Sequence, residues 1–517
     1  MPEGVDPPEH EQRARDPDGE SGSRERQVLA ARRESLERLR AAGREPFAIS
    51  LREALGVDEP TSTSELRDEF GRTPPDQRVG VRATVAGRVN LKRDMGKLKF
   101  VTLRDRAGDI QVVFRRGDLP DLEFSLLDEV DLGDIVGVTG EIGTTRTGEL
   151  SVFAERWAML TKALRPLPEK WHGLKNPDLQ QRRRELHLAS DLASRRVVEA
   201  RATVLRTIRN ELDGRGFLEV ETPLLLPLAG GALARPFVTH HLALDVPLYV
   251  RIALELYLKR LLVGGLERVY EIGRIARNEG IDRDHNPEFT MLEVYQAYGD
   301  YETMMVLTRE LVQASALAVN GSLQTTFRGE SIDLSGEWRR ITVLGSVSEI
   351  LGEEIALDRP DLAAIATNSG VHVEPGWSPG KIVLELFEKH VEHTLIQPTF
   401  VCDFPREVSP LARPHREHPE LTEQFDLVVG GVELATAYSE LSDPDEQRAK
   451  FMLQQALKAT GDDQAHPLDE EFLRALEHGM PPTGGMGMGM DRLLKVLVDA
   501  PSLRDLILFP HHRPEES

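Results

Sequence analysis

Between Val79 and Leu160 the chain is written in five short alternating runs, VGVRATVAGRV, KLKFVTLRD, GDIQVVFRR, DIVGVTGEIG and GELSVFAE, set apart by Gly and Asp. Alternation with period two puts the apolar side chains of each run on one face, and five such strands close together bury that face by curling round it. The pattern predicts a small closed barrel of the OB type. The flanking sequence is helical. Residues 24 to 42 carry Leu29, Leu36 and Leu39 near helical spacing, with arginines around much of the remaining surface, and end at Gly43 and Pro46. Residues 1 to 23, rich in Pro, Gly and acid, read as a disordered tail. PLPEKWHGLKNP (166 to 177) reads as a hinge, and a helical pattern from about Ala189 to Arg215 follows, broken by Gly214 and Gly216. The expected division is a tail (1–23), a helical extension (24–78), a barrel (79–165), a hinge (166–188) and an α+β domain (189–517).

Composition narrows the class. Of 517 residues, 40% are hydrophobic and 29% charged, which excludes collagenous, mucin-like and wholly disordered chains. No stretch approaches the 18 or so consecutive apolar residues of a membrane span. The first 23 residues lack the apolar core of a signal peptide, so the expected location is the cytoplasm. The single cysteine, Cys402, reads as a small core residue. A net charge of −22 argues at first against nucleic acid, but the charge is segregated. Arg88 to Arg106 holds seven basic and two acidic residues, and Arg182 to Arg215 nine and five, whereas Asp118 to Asp134 holds seven carboxylates and no base. A local positive surface is therefore available on an acidic protein.

Four segments stand out in the C-terminal part. GFLEVETPLLLPLAGGALARPF (216 to 237) turns at Gly216 from the long helix into a strand expected to end at Pro223. RVYEIGRIARNEGIDRDHNPEFTMLEVYQAY (268 to 298) reads as two alternating strands flanking a polar loop, with Arg277 and Glu279 projecting to one face and Glu293 and Tyr295 likewise. FDLVVGGVELATAYSEL (425 to 441) reads as a hairpin around Gly430-Gly431, and PPTGGMGMGMDRLLKVL (481 to 497) as a Gly-rich strand running into a helix through Asp491-Arg492. Alternating Gly and Met calls for a backbone closely approached from one face. His240 and His241 lack zinc-site spacing, and without GxxxxGK[ST] any ATP site is not a P-loop.

These segments resemble the three signature motifs of class II aminoacyl-tRNA synthetases. The chain from its N-terminal helix to DLILFPHHRP (505 to 514) resembles the bacterial lysyl-tRNA synthetases, or lysine–tRNA ligases. The specific matches are LTKALRPLPEKWHGL (160 to 174), ARPFVTHH (234 to 241), ELYLKRLLVGG (255 to 265), RNEG (277 to 280), HNPEFTMLEVY (285 to 295), LIQPTFVCDFPREVSPLAR (395 to 413) and YSEL (438 to 441). The resemblance implies an antiparallel class II sheet flanked by helices, preceded by an OB-fold anticodon-binding barrel. It also implies a homodimer whose contact draws on the 189 to 215 helix and the strand ending at Pro223. The implied reaction is ATP-dependent activation of L-lysine to lysyl-adenylate and its transfer to the 3′ end of tRNA(Lys), with Mg²⁺. Carried over by position, Arg277 would hold the lysine carboxylate and the α-phosphate and Arg492 the γ-phosphate. Phe289 would stack on adenine, with Glu279 and His285 nearby. Asp426 and Glu433 would hold the metal, and Gly231, Glu255, Glu293, Tyr295, Thr436, Tyr438 and Glu440 would form the lysine pocket. In the barrel, Arg93, Phe100, Gln111 and Glu149 would read the anticodon.

The implied roles are physically coherent. A carboxylate attacking the α-phosphate needs no protein base, so catalysis is alignment plus neutralisation of phosphate charge. Glutamates in the pocket suit an ε-ammonium and leave an uncharged or acidic amino acid with unpaired carboxylates. Several positions depart from the usual pattern: Glu185 and His187 in RELHL, Leu254 for a Pro, Ala276 for a Phe, Asp284 beside His285, and Asp426 for a Glu. The rival readings are an aspartate or asparagine ligase, a paralogue lysylating a non-tRNA acceptor, and a tRNA-binding relative with a decayed site. The glutamate-lined pocket, the barrel, and intact Arg277, Glu433 and Arg492 speak against each in turn.

Overall fold

The computed structural model describes residues 19–167, 176–232, 234–459 and 467–513. The chain divides into two compact units, residues 1–175 with 189–192, and residues 176–188 with 193–517.

The first unit is built on a closed barrel of five strands, Arg78–Asp94, Leu98–Arg104, Asp109–Arg115, Ile135–Thr144 and Leu150–Thr161, with the fifth strand between the third and fourth. Inward positions alternate as expected, and Val101, Leu103, Ile110, Val112, Val138 and Val152 fill the interior. The preceding helix spans Gly19–Ala41, so residues 19–23, assigned above to the tail, are helical. Extending a helix costs less than starting one, and a segment with a packed end propagates outward. Residues 1–18 of the expected tail lie outside the described residues. Leu36 and Leu39 are buried as the spacing predicts. Arg32, counted with the solvated arginines, is buried as well. Its guanidinium donates to the carbonyls of Leu132 and Ala163 at 2.8 Å and of Arg165 at 3.1 Å, which satisfies a charge that burial would otherwise penalise.

The expected hinge is largely helical where it is described. Asn176 caps the helix Pro177–Arg182, with Pro at its first position, and a second helix spans Arg184–Ser190. Arg184 is buried and donates to the carbonyls of Leu508 and Arg504 at 3.0 and 2.9 Å, so this stretch is tied into the second unit. Residues 168–175 lie outside the described residues.

The second unit carries an eight-stranded sheet. In spatial order the strands are Arg339–Thr342, Thr399–Pro405, Leu421–Val429, Val432–Ser439, Thr483–Gly489, Glu288–Ala297, Arg268–Ala276 and Leu218–Glu219. The six inner strands pair antiparallel, and each edge strand runs parallel to its neighbour. The strand expected to reach Pro223 is therefore only two residues long. Its hydrogen-bonded run is confined to the edge beside Val269 and Tyr270. One face of the sheet is closed by the helices Leu192–Gly214, Tyr301–Asn320 and Met490–Leu497, whose apolar sides meet Tyr270, Leu292, Val294, Met486 and Met488. Cys402 lies in this core as expected, and burial pushes its thiol up to about 12. Among the described residues, no helix is long and apolar enough to cross a membrane.

Candidate active site

Strand register collects most of the expected residues into two rows on the sheet face opposite the helical core. Directly paired residues on neighbouring strands share a face. One row runs Glu293, Gly487, Thr436, Asp426, and the next runs Tyr295, Gly485, Tyr438, Gln424. The Gly/Met alternation is what makes this possible. Met486 and Met488 point into the core, while Gly485 and Gly487 leave bare backbone beneath the rows. A Cβ on Gly485 would lie 2.5 Å from Tyr295 Cε1 and would also collide with Glu440, so any side chain there fills the pocket.

The helix Glu255–Val263 forms one wall and carries Glu255, which is buried. Gly231 lies against it, where a Cβ would be 3.4 Å from that of Glu255, and its φ of +89° is one that glycine adopts without strain. Glu293 and Glu440 are buried too. Glu293 accepts from the Tyr295 hydroxyl at 3.0 Å and from the Leu254 N–H at 2.9 Å. Burial pushes its carboxyl up to about 7, with the Glu255 charge adding to the effect. Burial likewise pushes Glu440 up to about 8, although Lys259 pulls against it. The hydroxyls of Tyr295 and Tyr438 are held above their usual range, first by burial and then by the neighbouring carboxylates.

The residues expected to bind ATP form a second group. Arg277 lies just past the end of the strand Arg268–Ala276 rather than on it, and so does Glu279. The Arg277 N–H donates to Pro287 O at 2.8 Å, and its Nε donates to Ile252 O at 3.3 Å. Its guanidinium sits 5.2 Å from the centre of the Phe289 ring, so the arginine and the expected adenine platform are brought together. Loss of water lowers the Arg277 pKa, and Glu279, Glu433 and Glu293 oppose that shift. Arg492 donates to Glu433 O at 3.0 Å and lies 3.5 Å from its carboxylate. Asp491, on the other side of that helix, accepts from Thr290 N at 2.7 Å and pairs with Arg201, which pins Arg492 toward the site. Glu279 and His285 lie on the exposed loop, where His285 Nδ1 is 2.9 Å from Asp282 of the same loop.

The hairpin turn Gly430-Gly431 has φ of +61° and +67°, as the Gly-Gly pair predicts. A bulge opposite Leu427 and Val428 follows it. Asp426 Oδ1 is buried with no hydrogen-bond partner among the described residues, and its carboxyl is held well above its ordinary range by burial and then by Glu433. Glu392 is raised to about 7 by burial and by the same neighbour. An orphaned carboxylate oxygen beside a second carboxylate fits a hard divalent cation that takes its remaining ligands from water or phosphate. Among the described residues, no group of three or more His, Cys, Asp or Glu is arranged to hold a metal by itself.

Sequence reasoning missed four supports. Lys259, wholly buried, contacts both Glu255 and Glu440, and its i+4 spacing from Glu255 was a visible signal. The Leu254 N–H is a backbone donor. The Arg251–Glu271 pair, at 2.5 Å, passes over Gly273. Lys495 pairs with Asp284, holding the polar loop to the helix Met490–Leu497.

In the barrel, Arg93 pairs across from Phe100, and Gln111 from Thr102 and Ser151, so Arg93, Phe100 and Gln111 share an outward face. Gln111 Nε2 donates to Ser151 Oγ at 2.9 Å, and that hydroxyl donates to Glu149 O at 3.0 Å. Phe100 is half-buried on this face and is not part of the barrel core.

Residues 176–513 match the family of class II tRNA synthetases (D, K and N), and residues 83–160 match the OB-fold nucleic acid binding domain. The chain is 49% identical over 495 residues to a lysine–tRNA ligase of Moorella thermoacetica, covering 95% of this chain and 99% of the relative. It is 47% identical over 494 residues to one of Syntrophomonas wolfei, covering 95% and 98%. It is 46% identical over 491 residues to one of Staphylococcus aureus, covering 94% and 98%.

Proposed function

The chain belongs to the lysine–tRNA ligases of the class II tRNA synthetases, and from that membership we infer how its own residues activate L-lysine with ATP and charge tRNA(Lys). The observation that carries the reading is the meeting of three buried glutamates, Glu255, Glu293 and Glu440, in one pocket floored by glycine. Lys259 pairs with two of them, and the negative charge left over suits a cationic amino acid.

Arg277 orients the lysine carboxylate and the α-phosphate, so that the attacking oxygen and the phosphorus are held in line. Arg492 draws the γ-phosphate, and the two guanidiniums offset charge as pyrophosphate departs. Phe289 offers its ring to adenine, with Glu279 and His285 closing over it from the loop. Gly231, Thr436 and Tyr438 line the amino-acid side of the pocket. Asp426 and Glu433 would hold Mg²⁺, which when bound supplies further neutralisation of the phosphates. The adenylate is then attacked by the 3′-hydroxyl of the terminal adenosine of tRNA.

Arg93, Phe100, Gln111 and Glu149 form the anticodon-reading face, where an aromatic ring and a side-chain amide suit a splayed base. A barrel of the nucleic-acid-binding family favours tRNA over a lipid or protein acceptor. Leu218, Leu224, Leu225, Val238 and Leu242 are exposed in the second unit, which supports burial against a second copy in a homodimer. We propose the cytoplasm as its location, a compartment that holds ATP, lysine and tRNA together.

The test is ATP–pyrophosphate exchange with each amino acid in turn, followed by charging of tRNA. Lysine alone should support exchange. Arg277→Ala or Arg492→Ala should lower it by roughly 10² or more. Exchange with aspartate or asparagine instead, or undiminished exchange in either variant, contradicts the reading.

A further inference from the structure

The glutamates do not carry the charge of the pocket alone. Lys259 follows Glu255 by one helical turn and has no exposed surface. Its Nζ lies 2.5 Å from Glu255 Oε1 and also contacts Glu440. The other titratable groups around this trio are Glu293, Tyr295 and Tyr438, and Lys450 lies close enough to feel the Lys259 charge.

We propose that Lys259 is a positioning residue for substrate selection, a resident ammonium that fixes the Glu255 and Glu440 carboxylates and leaves the trio one positive charge short. The ε-ammonium of the incoming amino acid supplies that charge. The inference rests on the reading of this site as lysine-activating.

Two carboxylates and one ammonium, fully ionised, sum to one negative charge. A buried site does not tolerate that imbalance, so before substrate arrives it is covered by a proton. An amino acid with a single terminal cation displaces the proton and brings the sum to zero. Burial works against the Lys259 ammonium, but Glu255 and Glu440 outweigh it and raise its pKa, so Lys259 keeps its charge. Lys259 in turn pulls the Glu440 pKa down, which makes the covering proton easier to displace.

The experiment measures lysine and ATP dependence of exchange in the full-length protein for Lys259→Met, Lys259→Arg, Glu440→Gln and the double variant Lys259→Met/Glu440→Gln, with a thermal melt of each. Lys259→Met should raise KM for lysine by about tenfold or more while KM for ATP stays within about twofold, and Lys259→Arg should recover part of the loss. Glu440→Gln pairs Glu255 with Lys259 and leaves only Glu293 to meet the substrate's cationic groups, so its lysine KM should rise further. The double variant restores one net negative charge and should bind lysine about tenfold better than Glu440→Gln.

Parallel rises of both KM values in a folded Lys259→Met protein would overturn the proposal. If Lys259→Met does not fold, the comparison of Glu440→Gln with the double variant decides. Lysine-dependent wild-type exchange with a double variant no better than Glu440→Gln overturns the role of Lys259 alone. Wild-type exchange that ignores lysine overturns the underlying reading and the proposal with it.

Discussion

The backbone N–H of Leu254 donates to Glu293 Oε1 at 2.9 Å. The family resemblance implies proline at this position, which has no N–H to give, so the bond depends on the residue this chain carries instead. The bond draws the Glu293 pKa downward, against the lift that burial imposes. A hydrogen bond to a charged group is worth about 1.5–3 kcal/mol. Leu254→Pro should therefore weaken lysine binding by roughly tenfold and move its acid limb to higher pH, while Leu254→Ala leaves both unchanged. Calorimetric titration of lysine across pH checks this. An unshifted acid limb in a folded Leu254→Pro protein would show that the bond is incidental.

The pH response of the wild-type pocket has a definite sign. Glu293 is raised to about 7 and Glu440 to about 8, and the substrate ammonium groups need both carboxylates ionised. Each protonated carboxyl must lose its proton on binding, so the dissociation constant for lysine should fall as pH rises from 6 to 8 and level off above. Glu440→Gln should remove the upper inflection and leave the one near 7. A flat profile from pH 6 to 9 contradicts the assignment of these carboxylates to the substrate.

Asp284, another departure, is paired with the fully buried ammonium of Lys495, and Arg328 lies 3.6 Å from the same carboxylate oxygen. The loop bearing Glu279 and His285 is thereby moored to the helix that begins beside Arg492. Asp284→Ala strands Lys495, at a cost of about 1–2 kcal/mol given the partial exposure of Asp284. The expected outcome is a lower melting temperature and a rise in KM for ATP that exceeds any rise for lysine. Equal stability and an unchanged KM for ATP would reduce the pair to a surface contact.

Asp426 is one methylene shorter than the usual Glu, and its Oδ1 has no hydrogen-bond partner among the described residues. A short carboxylate that reaches Mg²⁺ through water holds it less firmly. Asp426→Glu should lower the Mg²⁺ concentration for half-maximal exchange, and Asp426→Asn should raise it. A titration in which Asp426→Asn coincides with wild type would remove this residue from the metal site.

Phe100→Ala should cost about 1–3 kcal/mol of tRNA binding through lost stacking and spare lysine-dependent exchange. Filter-binding and exchange assays on the same preparation separate the two. Loss of both together would indicate collapse of the barrel.

Local pattern carried the reading of this molecule a long way. The five barrel strands, the Gly430-Gly431 hairpin and the Gly/Met strand are all written in period two and turn chemistry, which depend only on neighbours in sequence. What escaped was long-range pairing. Lys259 in ELYLKRLL looks like a solvated helix charge until Glu440 arrives from the far end of the chain to enclose it. Arg32 was misplaced for the same reason, since its carbonyl partners come from residues beyond 130. The helices at 177–190 were hidden behind PLPEKWHGLKNP, whose prolines and glycine read as a hinge. Proline at a first helical position is a start signal, and Arg184 is buried by carbonyls that follow residue 500.

The floor of the pocket is main chain. Where a site is walled by side chains, a larger substrate can be admitted by trimming one of them, but nothing on Gly485 or Gly487 can be removed. From this direction the cavity can only shrink. Any redesign toward a longer or branched cationic amino acid has to gain its space from the walls, at Tyr295, Tyr438 or the helix that carries Glu255. Met486 and Met488, facing the other way, remain open to exchange for other flexible apolar residues without the substrate being affected.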